Sequence, residues 1–528
     1  MALPPVTLSM MAVLAITNAN LASQVSRSPR ASTRVASARI DRAVFTRLKK
    51  LGLQPAAQCS DAVFLRRVYL DLAGRLPTVE ACRSFLRNKD PSKRSALIDV
   101  LLESRGYADL MAMRWSDLLR IKSEFPINLW PNASQAYYQW VWQSFRDNKP
   151  QDRFVRELLV SNGSNFRVAP VNFYRALQNK KPATIARAVA LTFMGVRADK
   201  WPAAKLASMA AFFDKIHYKP SREWKEEIVF HDPSLGSKKS LSKGQRTLQL
   251  PDGKEVKVAA EQDPRAVFAD WLIRSSNPWF TKSAVNRAWA WLFGRGIIDE
   301  VDDIRPDNPP VHPELLKLLQ SEFVTSHYDW KHLFRIIMNS RVYQQDSKPA
   351  SQDARARSLF ACYPTRRLPA EVLIDTVNEI TGTTESYTSM IPEPFTFIPA
   401  ETPAIRLPDG SISSATLEMF GRPSRDTGFV SERNNRPTPT QRLYLLNSTQ
   451  VQNKIARGTW LRRIQRGKRG KLKGIVDELY LRILSRHPTT EELGILYGMA
   501  KNKRLQGRNA LIDIAWALLN TVEFQYRH

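Results

Sequence analysis

The densest grouping of side chains that could do chemistry is Asp302-Asp303, Asp307 and His312-Pro313-Glu314. Carboxylates and an imidazole on adjoining turns can hold a divalent cation or pass a proton. Asp302, Asp303 and His312, with Arg367 further along, are therefore the catalytic candidates. A structural reading competes with this and is favoured by the spacing. Asp303 would pair with a nearby arginine, Asp307-Asn308 would make turn contacts, and His312 would stand near a helix N-terminus. Arg366-Arg367 with Glu371 and Asp375 reads in the same way as an ion-pair network. The densest cationic run holds Arg462, Arg463, Arg466, Lys468, Arg469 and Lys471, which are the candidates for gripping phosphate or sulfate. Gly467 and Gly470 interrupt it and favour a solvated linker between helices.

Other chemistries have no motif here. The chain contains no Gly-rich phosphate loop, GxSxG elbow or HExxH pair. Its three cysteines, Cys59, Cys82 and Cys362, form no CxxC or CxxCH and no Cys/His cluster. Structural zinc is not expected, nor is any metal site, and covalent haem c lacks its two thiolates. Cys59 precedes one predicted helix and Cys82 lies in the next, so the two are a candidate disulfide. Cys362 is left as a small buried apolar residue.

The elements that must position these residues are almost all helical. Ser60-Asp61 caps a segment whose apolar positions Phe64, Leu65, Val68, Tyr69 and Leu72 recur every three or four residues. Gly74 suits a left-handed helix end, and Thr78 caps the next helix. Similar patterns follow to about Phe213, with Trp115, Trp130, Trp140 and Trp142 as core volume. Residues 215–262 change character, and the alternating residues around Pro251-Asp252-Gly253 predict a β-hairpin. Helical periodicity resumes at Asp263. It is broken by a long Pro-, Thr- and Ser-rich loop over 383–437, a length that usually means function or mobility. The expectation is a mainly α, multi-helical, two-domain protein: an N-terminal domain over 38–214, a connecting segment with a hairpin over 215–262, and a C-terminal domain over 263–528.

A chain of 528 residues exceeds one ordinary core, and 24% charged residues with 43% apolar ones fit a globular protein. The formal net charge of +29 favours anionic partners. The apolar stretch Val6 to Ile16, followed by small residues, reads as a signal peptide over 1–22, although no basic residue precedes it. Residues 23–37 read as a disordered basic tail. The expected location is then the periplasm or cell envelope, where nucleic acid is not a natural partner. No later stretch is long and apolar enough to span a membrane.

The ordered motifs resemble the planctomycete-type, cytochrome-c-associated paired domains of unknown function, a PSCyt-type domain followed by a PSD-type domain. The first is carried by Asp61-Ala-Val-Phe-Leu-Arg-Arg-Val-Tyr-Leu-Asp-Leu-Ala-Gly-Arg-Leu-Pro-Thr78. The second is carried by Asn286-Arg-Ala-Trp289, Phe293-Gly-Arg-Gly296, Asn308-Pro-Pro-Val-His-Pro-Glu314, Arg366-Arg-Leu-Pro-Ala-Glu371, Phe420-Gly-Arg-Pro423 and Glu432-Arg433. Many relatives place a CxxCH segment between a Gly-Val pair and a Trp. Here only Arg197-Ala-Asp-Lys200 separates Gly195-Val196 from Trp201, so the haem-binding loop is deleted. The resemblance implies an exported binding or scaffold component of an envelope-associated, polysaccharide-related system, without haem, partnered by envelope proteins or anionic polysaccharide. The alternatives are an enzyme with its site near Asp302, Asp303 and His312, and a binder of anionic polymer through its basic surface.

Overall fold

The computed structural model describes residues 27–234, 245–467, 471–501 and 507–528. The signal-peptide segment lies outside them. Within them the protein is mainly α, with three small antiparallel sheets. The first half contains α1 (Arg27–Lys50), α2 (Asp61–Leu72), α3 (Val79–Arg87), α4 (Lys93–Leu102), α5 (Arg105–Leu118), α6 (Pro131–Arg146), α7 (Gln151–Val160), α8 (Pro182–Val189) and α9 (Ala203–Ala210). After the strands come α10 (Pro264–Leu272), α11 (Phe280–Phe293), α12 (Pro313–Thr325), α13 (Trp330–Met338) and α14 (Ala370–Thr381). The chain then builds α15 (Pro439–Asn447), α16 (Thr449–Arg457), α17 (Trp460–Gly467), α18 (Leu472–Leu484), α19 (Thr490–Lys501) and α20 (Gly507–Leu519).

The local signals act as their chemistry requires. Ser60 accepts the Val63 amide at 3.3 Å and Thr78 accepts that of Ala81 at 3.2 Å, each supplying one of the bonds a helix start lacks. Gly74 adopts φ +62°, and a side chain there would run into Ile405, so the turn between α2 and α3 is also a close-packing point for the later loop.

Residues 27–37 are helical, which corrects the expectation of a disordered tail. Ala36, Ile40, Val44 and Leu48 recur every four residues and are buried, and the Ser37 hydroxyl donates to the Ile336 carbonyl at 2.8 Å. The small residues that read as tail composition allow α1 to lie close against α12 and α13.

Two apolar clusters form the core. The larger runs from Ala36 to Tyr363, with Leu481 added, and includes Trp115, whose ring meets Phe145, Phe154, Trp291 and Trp330 at centroid distances of 5.9, 5.1, 6.5 and 6.1 Å. The smaller is built from residues 368–524 and reaches back to Leu70, Leu76, Leu110 and Met113. Helices α11 to α13, which follow the connecting segment, therefore share the core of the first half. Leu481 apart, the larger cluster ends at Tyr363, and the main body of the smaller begins at Leu368.

The connecting segment forms β2 (Ile216–Pro220) and β3 (Glu227–His231), joined by β1 (Gly163–Ser164) in the order β1-β3-β2. The predicted hairpin is β4 (Arg246–Gln249) paired with β5 (Glu255–Val258), with Leu248 opposite Val256. A last pair, β6 (Arg366–Arg367) and β7 (Tyr526–Arg527), sets Arg366 opposite Arg527. The 383–437 loop holds only short helical turns, yet it is pinned by specific bonds. Asp409 accepts the amides of Ser123 and Ser411, both at 2.9 Å, and the Gly410 amide donates to Ile121 at 2.9 Å.

Candidate functional site

Helix α14 carries Glu371, Asp375 and Glu379 at four-residue spacing, so all three share one face. Like charges so placed repel one another, and the fold resolves this differently at each turn. Glu371 is fully buried and takes two bonds from Arg433, at 2.6 and 3.0 Å, with Arg422 at 3.6 Å. Arg433 also grips Asp117 of α5 at 2.7 Å, and Arg425 holds the other oxygen of Asp117 at 3.0 Å. A buried carboxylate survives as an ion only when paired in this manner. Burial alone would raise the Glu371 pKa, but the Arg433 guanidinium outweighs it and holds the group down at about 2.

Asp375, one turn on, has no such partner. It accepts the backbone amides of Ala404 at 2.6 Å and Ile405 at 2.9 Å. Burial, helped by the neighbouring Glu371 charge, pushes its carboxyl up to about 7 against the pull of those amides and of Arg406. Glu379 stands at the exposed rim.

Asp375 and Glu379 help line a cleft of about 490 Å³ between the first-half helices and α14. The α2–α3 turn contributes Gly74 and Arg75, α5 contributes Arg105 and Asp109, and the long loop contributes Thr383, Thr384, Glu401, Thr402 and Arg406. Asp109 is neutralised by Arg406 at 2.7 Å and also accepts the Trp142 indole N–H at 2.8 Å. Glu385 is paired with Lys454 at 3.1 Å. The lining thus offers many hydrogen-bond donors and acceptors; Asp109 and Glu385 are paired, whereas Arg75, Glu379 and Glu401 take part in no ion pair among the described residues. Its size lies within the roughly 300–1,000 Å³ of typical ligand pockets.

The catalytic candidates from the sequence lie elsewhere and are each tied into the fold. Asp302 is buried, pairs with Arg287 at 2.9 Å and accepts the Val430 amide at 2.7 Å. Asp303 pairs with Arg305 at 3.1 Å and Arg305 reaches Asp307 at 2.7 Å, as the structural reading expected. His312 precedes α12 and is buried, with Nε2 3.0 Å from the Leu359 carbonyl. Because a carbonyl only accepts, Nε2 carries the proton and Nδ1 is the bare nitrogen. Burial lowers the His312 pKa to about 4. These residues meet no common ligand space. Among the described residues no group of three or more His, Cys, Asp or Glu side chains is arranged to hold a metal.

Arg366 and Arg367 do not pair with Glu371 and Asp375. Arg366 and Arg527 converge instead on Asp71, at 3.0 and 2.6 Å, where Tyr343 and Tyr363 also donate at 2.8 and 3.0 Å. Arg367 bonds the Gln441 side chain and lies over the Phe420 ring. The β6–β7 pairing turns both arginines away from α14, a contact the sequence could not reveal.

Of the cationic run, Arg462, Arg463 and Arg466 project from α17, whose other face buries Trp460, Leu461 and Ile464. This part is an amphipathic helix and not the linker expected. Lys468 and Arg469 lie outside the described residues, and Lys471 stands at the start of α18. Cys59, Cys82 and Cys362 are all buried free thiols, so the candidate Cys59–Cys82 disulfide is not formed. Cys82 instead points toward the Leu481 carbonyl, 3.7 Å away.

Two family models match the chain. Residues 39–218 match PSCyt2, described as a protein of unknown function (DUF1549), and residues 264–499 match PSD1, described as a protein of unknown function (DUF1553). No curated protein and no solved structure matches it.

Proposed function

The chain belongs to the proteins that carry a PSCyt2 domain followed by a PSD1 domain, and from that premise we propose that it is an exported, haem-free binding component of a cell-envelope system, taking a polyhydroxylated ligand such as a saccharide. The observation that carries this reading is the cleft beside α14. Thr383, Thr384, Thr402 and Asn378 offer neutral hydrogen bonds, burial pushes the Asp375 carboxyl up to about 7, and Asp109 and Glu385 are already paired with Arg406 and Lys454. Such a lining, with hydroxyl, amide and carboxyl groups beside a few charged side chains, suits the hydroxyl groups of a saccharide.

Haem has no place in this reading because the chain has no CxxCH. Export rests on the apolar Val6–Ile16 segment. Fractionation of the native host with N-terminal sequencing tests it: a cytosolic protein with Met1 intact refutes export.

The binding proposal is tested with a glycan array followed by calorimetry on the best binders. Saccharide binding is expected, and Thr402→Trp, which fills the cleft, abolishes it. An array without binders, or binding that survives Thr402→Trp, overturns the proposal.

A further inference from the structure

Large apolar side chains are exposed on three separate loops, and those loops meet. Phe125 is 81% exposed, Trp224 68%, Met390 86% and Phe397 69%. The 123–130 and 389–397 segments are joined where Glu124 accepts the Met390 amide at 3.0 Å and the Ser389 hydroxyl at 3.1 Å. They are joined again where the Trp130 and Phe395 rings lie 5.3 Å apart. The third loop comes alongside through Lys225, whose ammonium sits 5.5 Å from the Trp130 ring and 5.1 Å from that of Trp224. The loops therefore form one face. Thr396 is buried between exposed Phe395 and Phe397, so the loop is anchored at its middle while both rings face outward.

Scattered exposed apolar residues are ordinary, but a contiguous aromatic group marks a contact surface. Its setting indicates the partner. Lys219, Arg222 and Lys225, on and next to the loop that carries Trp224, are exposed and take part in no ion pair among the described residues. Glu223 of the same loop is paired with Arg167 at 3.3 Å, and the carboxylate of Glu124 is occupied by the 389–390 segment. Glu393, on the 389–397 segment, is an exposed acidic residue. The whole chain adds a formal +29. Bulky rings on loop tips, with free cations around them, match an anionic bilayer surface. Rings enter the headgroup boundary, and ammonium and guanidinium groups stay with the lipid phosphates.

We propose that this face docks the protein peripherally on an anionic lipid surface, with Phe125, Trp224, Met390 and Phe397 as the inserting side chains. Among the described residues no helix is long and apolar enough to cross a membrane, so the attachment would be by loop insertion. The proposal is independent of the cleft's ligand.

The test is co-sedimentation of the full chain with vesicles of phosphatidylcholine alone and with vesicles that also contain phosphatidylglycerol, which supplies the negative surface potential of a charged leaflet. Binding to the anionic vesicles is expected, weakened by added salt, with a blue shift in tryptophan emission. The triple variant Phe125→Ser/Trp224→Ser/Phe397→Ser should lose at least about tenfold in binding. Arg222→Glu/Lys225→Glu should remove the preference for anionic lipid while circular dichroism stays unchanged. Wild-type protein that remains in the supernatant with anionic vesicles overturns the proposal, as does a triple variant that binds equally well. Sedimentation velocity showing instead a dimer that the triple variant dissolves, without vesicle binding, would assign the face to a second copy and also overturn it.

Discussion

Glu371 and Asp375 are neighbours on one face of α14, yet the fold holds the first as a buried anion and the second as a carboxyl that keeps its proton to about pH 7. The difference lies in what the long loop delivers to each. Arg433 and Arg422 come to Glu371, whereas the uncharged amides of Ala404 and Ile405 come to Asp375. Two ionised carboxylates one turn apart and out of water would be costly, and one cation-paired carboxylate beside one neutral carboxyl avoids that cost.

A pH dependence follows for Asp375. Its folded pKa is raised from 3.8 to about 7, so its contribution to stability is fully present below pH 4 and is lost as pH rises to 7. Asp375→Asn keeps one acceptor oxygen for the two amides and removes the titration. The variant should be less stable than wild type at pH 4.5, and the gap should narrow steadily by pH 7.5. Urea unfolding at several pH values measures this, and a gap independent of pH would refute the assignment.

Removing Arg433 should be severe, because it leaves Asp117 and Glu371 facing each other in the interior with one cation fewer. Breaking a buried pair from one side costs about 3–5 kcal/mol, and a guanidinium with some solvent contact belongs at the lower end. Arg433→Met should therefore lose about 3 kcal/mol in chemical denaturation. Adding Glu371→Gln should cost less than the two single changes summed, since it removes one of the stranded charges. Strict additivity would mean that the two side chains are not coupled.

The helices were legible in the sequence because their signals are local. Ser60 and Thr78 cap as their types predict, Gly74 takes its left-handed turn, and the Pro251-Asp252-Gly253 hairpin forms in register. The stripe Glu371, Asp375, Glu379 could also be read from spacing alone. What completes the cleft and the ionic lattice could not, because Arg406, Arg422, Arg425 and Arg433 lie in a segment without periodicity. Asp109 and Asp117, the partners of Arg406, Arg425 and Arg433, sit on α5, some three hundred residues earlier. The same limit explains Arg366 and Arg367. Their proximity to Glu371 in the chain suggested a pairing, but β6 joins β7 and sends Arg366 to Asp71. The first turns of α1, up to residue 37, were misjudged for a related reason: their composition is that of a tail, while the helix packs against α12 and α13.

His312 should act as an acid-sensitive point in the fold. Its folded pKa is lowered to about 4 by burial, so the stability it contributes is present above the ordinary histidine value of 6.5 and is lost as pH falls toward 4. His312→Gln can keep a donor toward the Leu359 carbonyl without acquiring charge. The variant should unfold at lower pH than wild type, and the ring carbon shifts of His312 should still report the neutral form at pH 5.5. A protonated His312 at that pH would show that the site is open to water.

The three thiols provide the most direct check on the interior. Burial pushes the Cys82 thiol up to about 12, leaving almost no thiolate at neutral pH, and Cys59 and Cys362 are equally enclosed. Native protein should therefore react with a thiol reagent only slowly, whereas the denatured chain should release three equivalents, matching its three cysteines. If Cys59 and Cys82 were bridged, the unreduced denatured chain would give a single equivalent, and Cys82 would have had to leave its position beside the Leu481 carbonyl in α18. Leu481 is itself counted in the larger core, so slow reaction of Cys82 also reports that α3 and α18 are packed together. Reagent access should accordingly rise with the unfolding of the whole molecule and not before it.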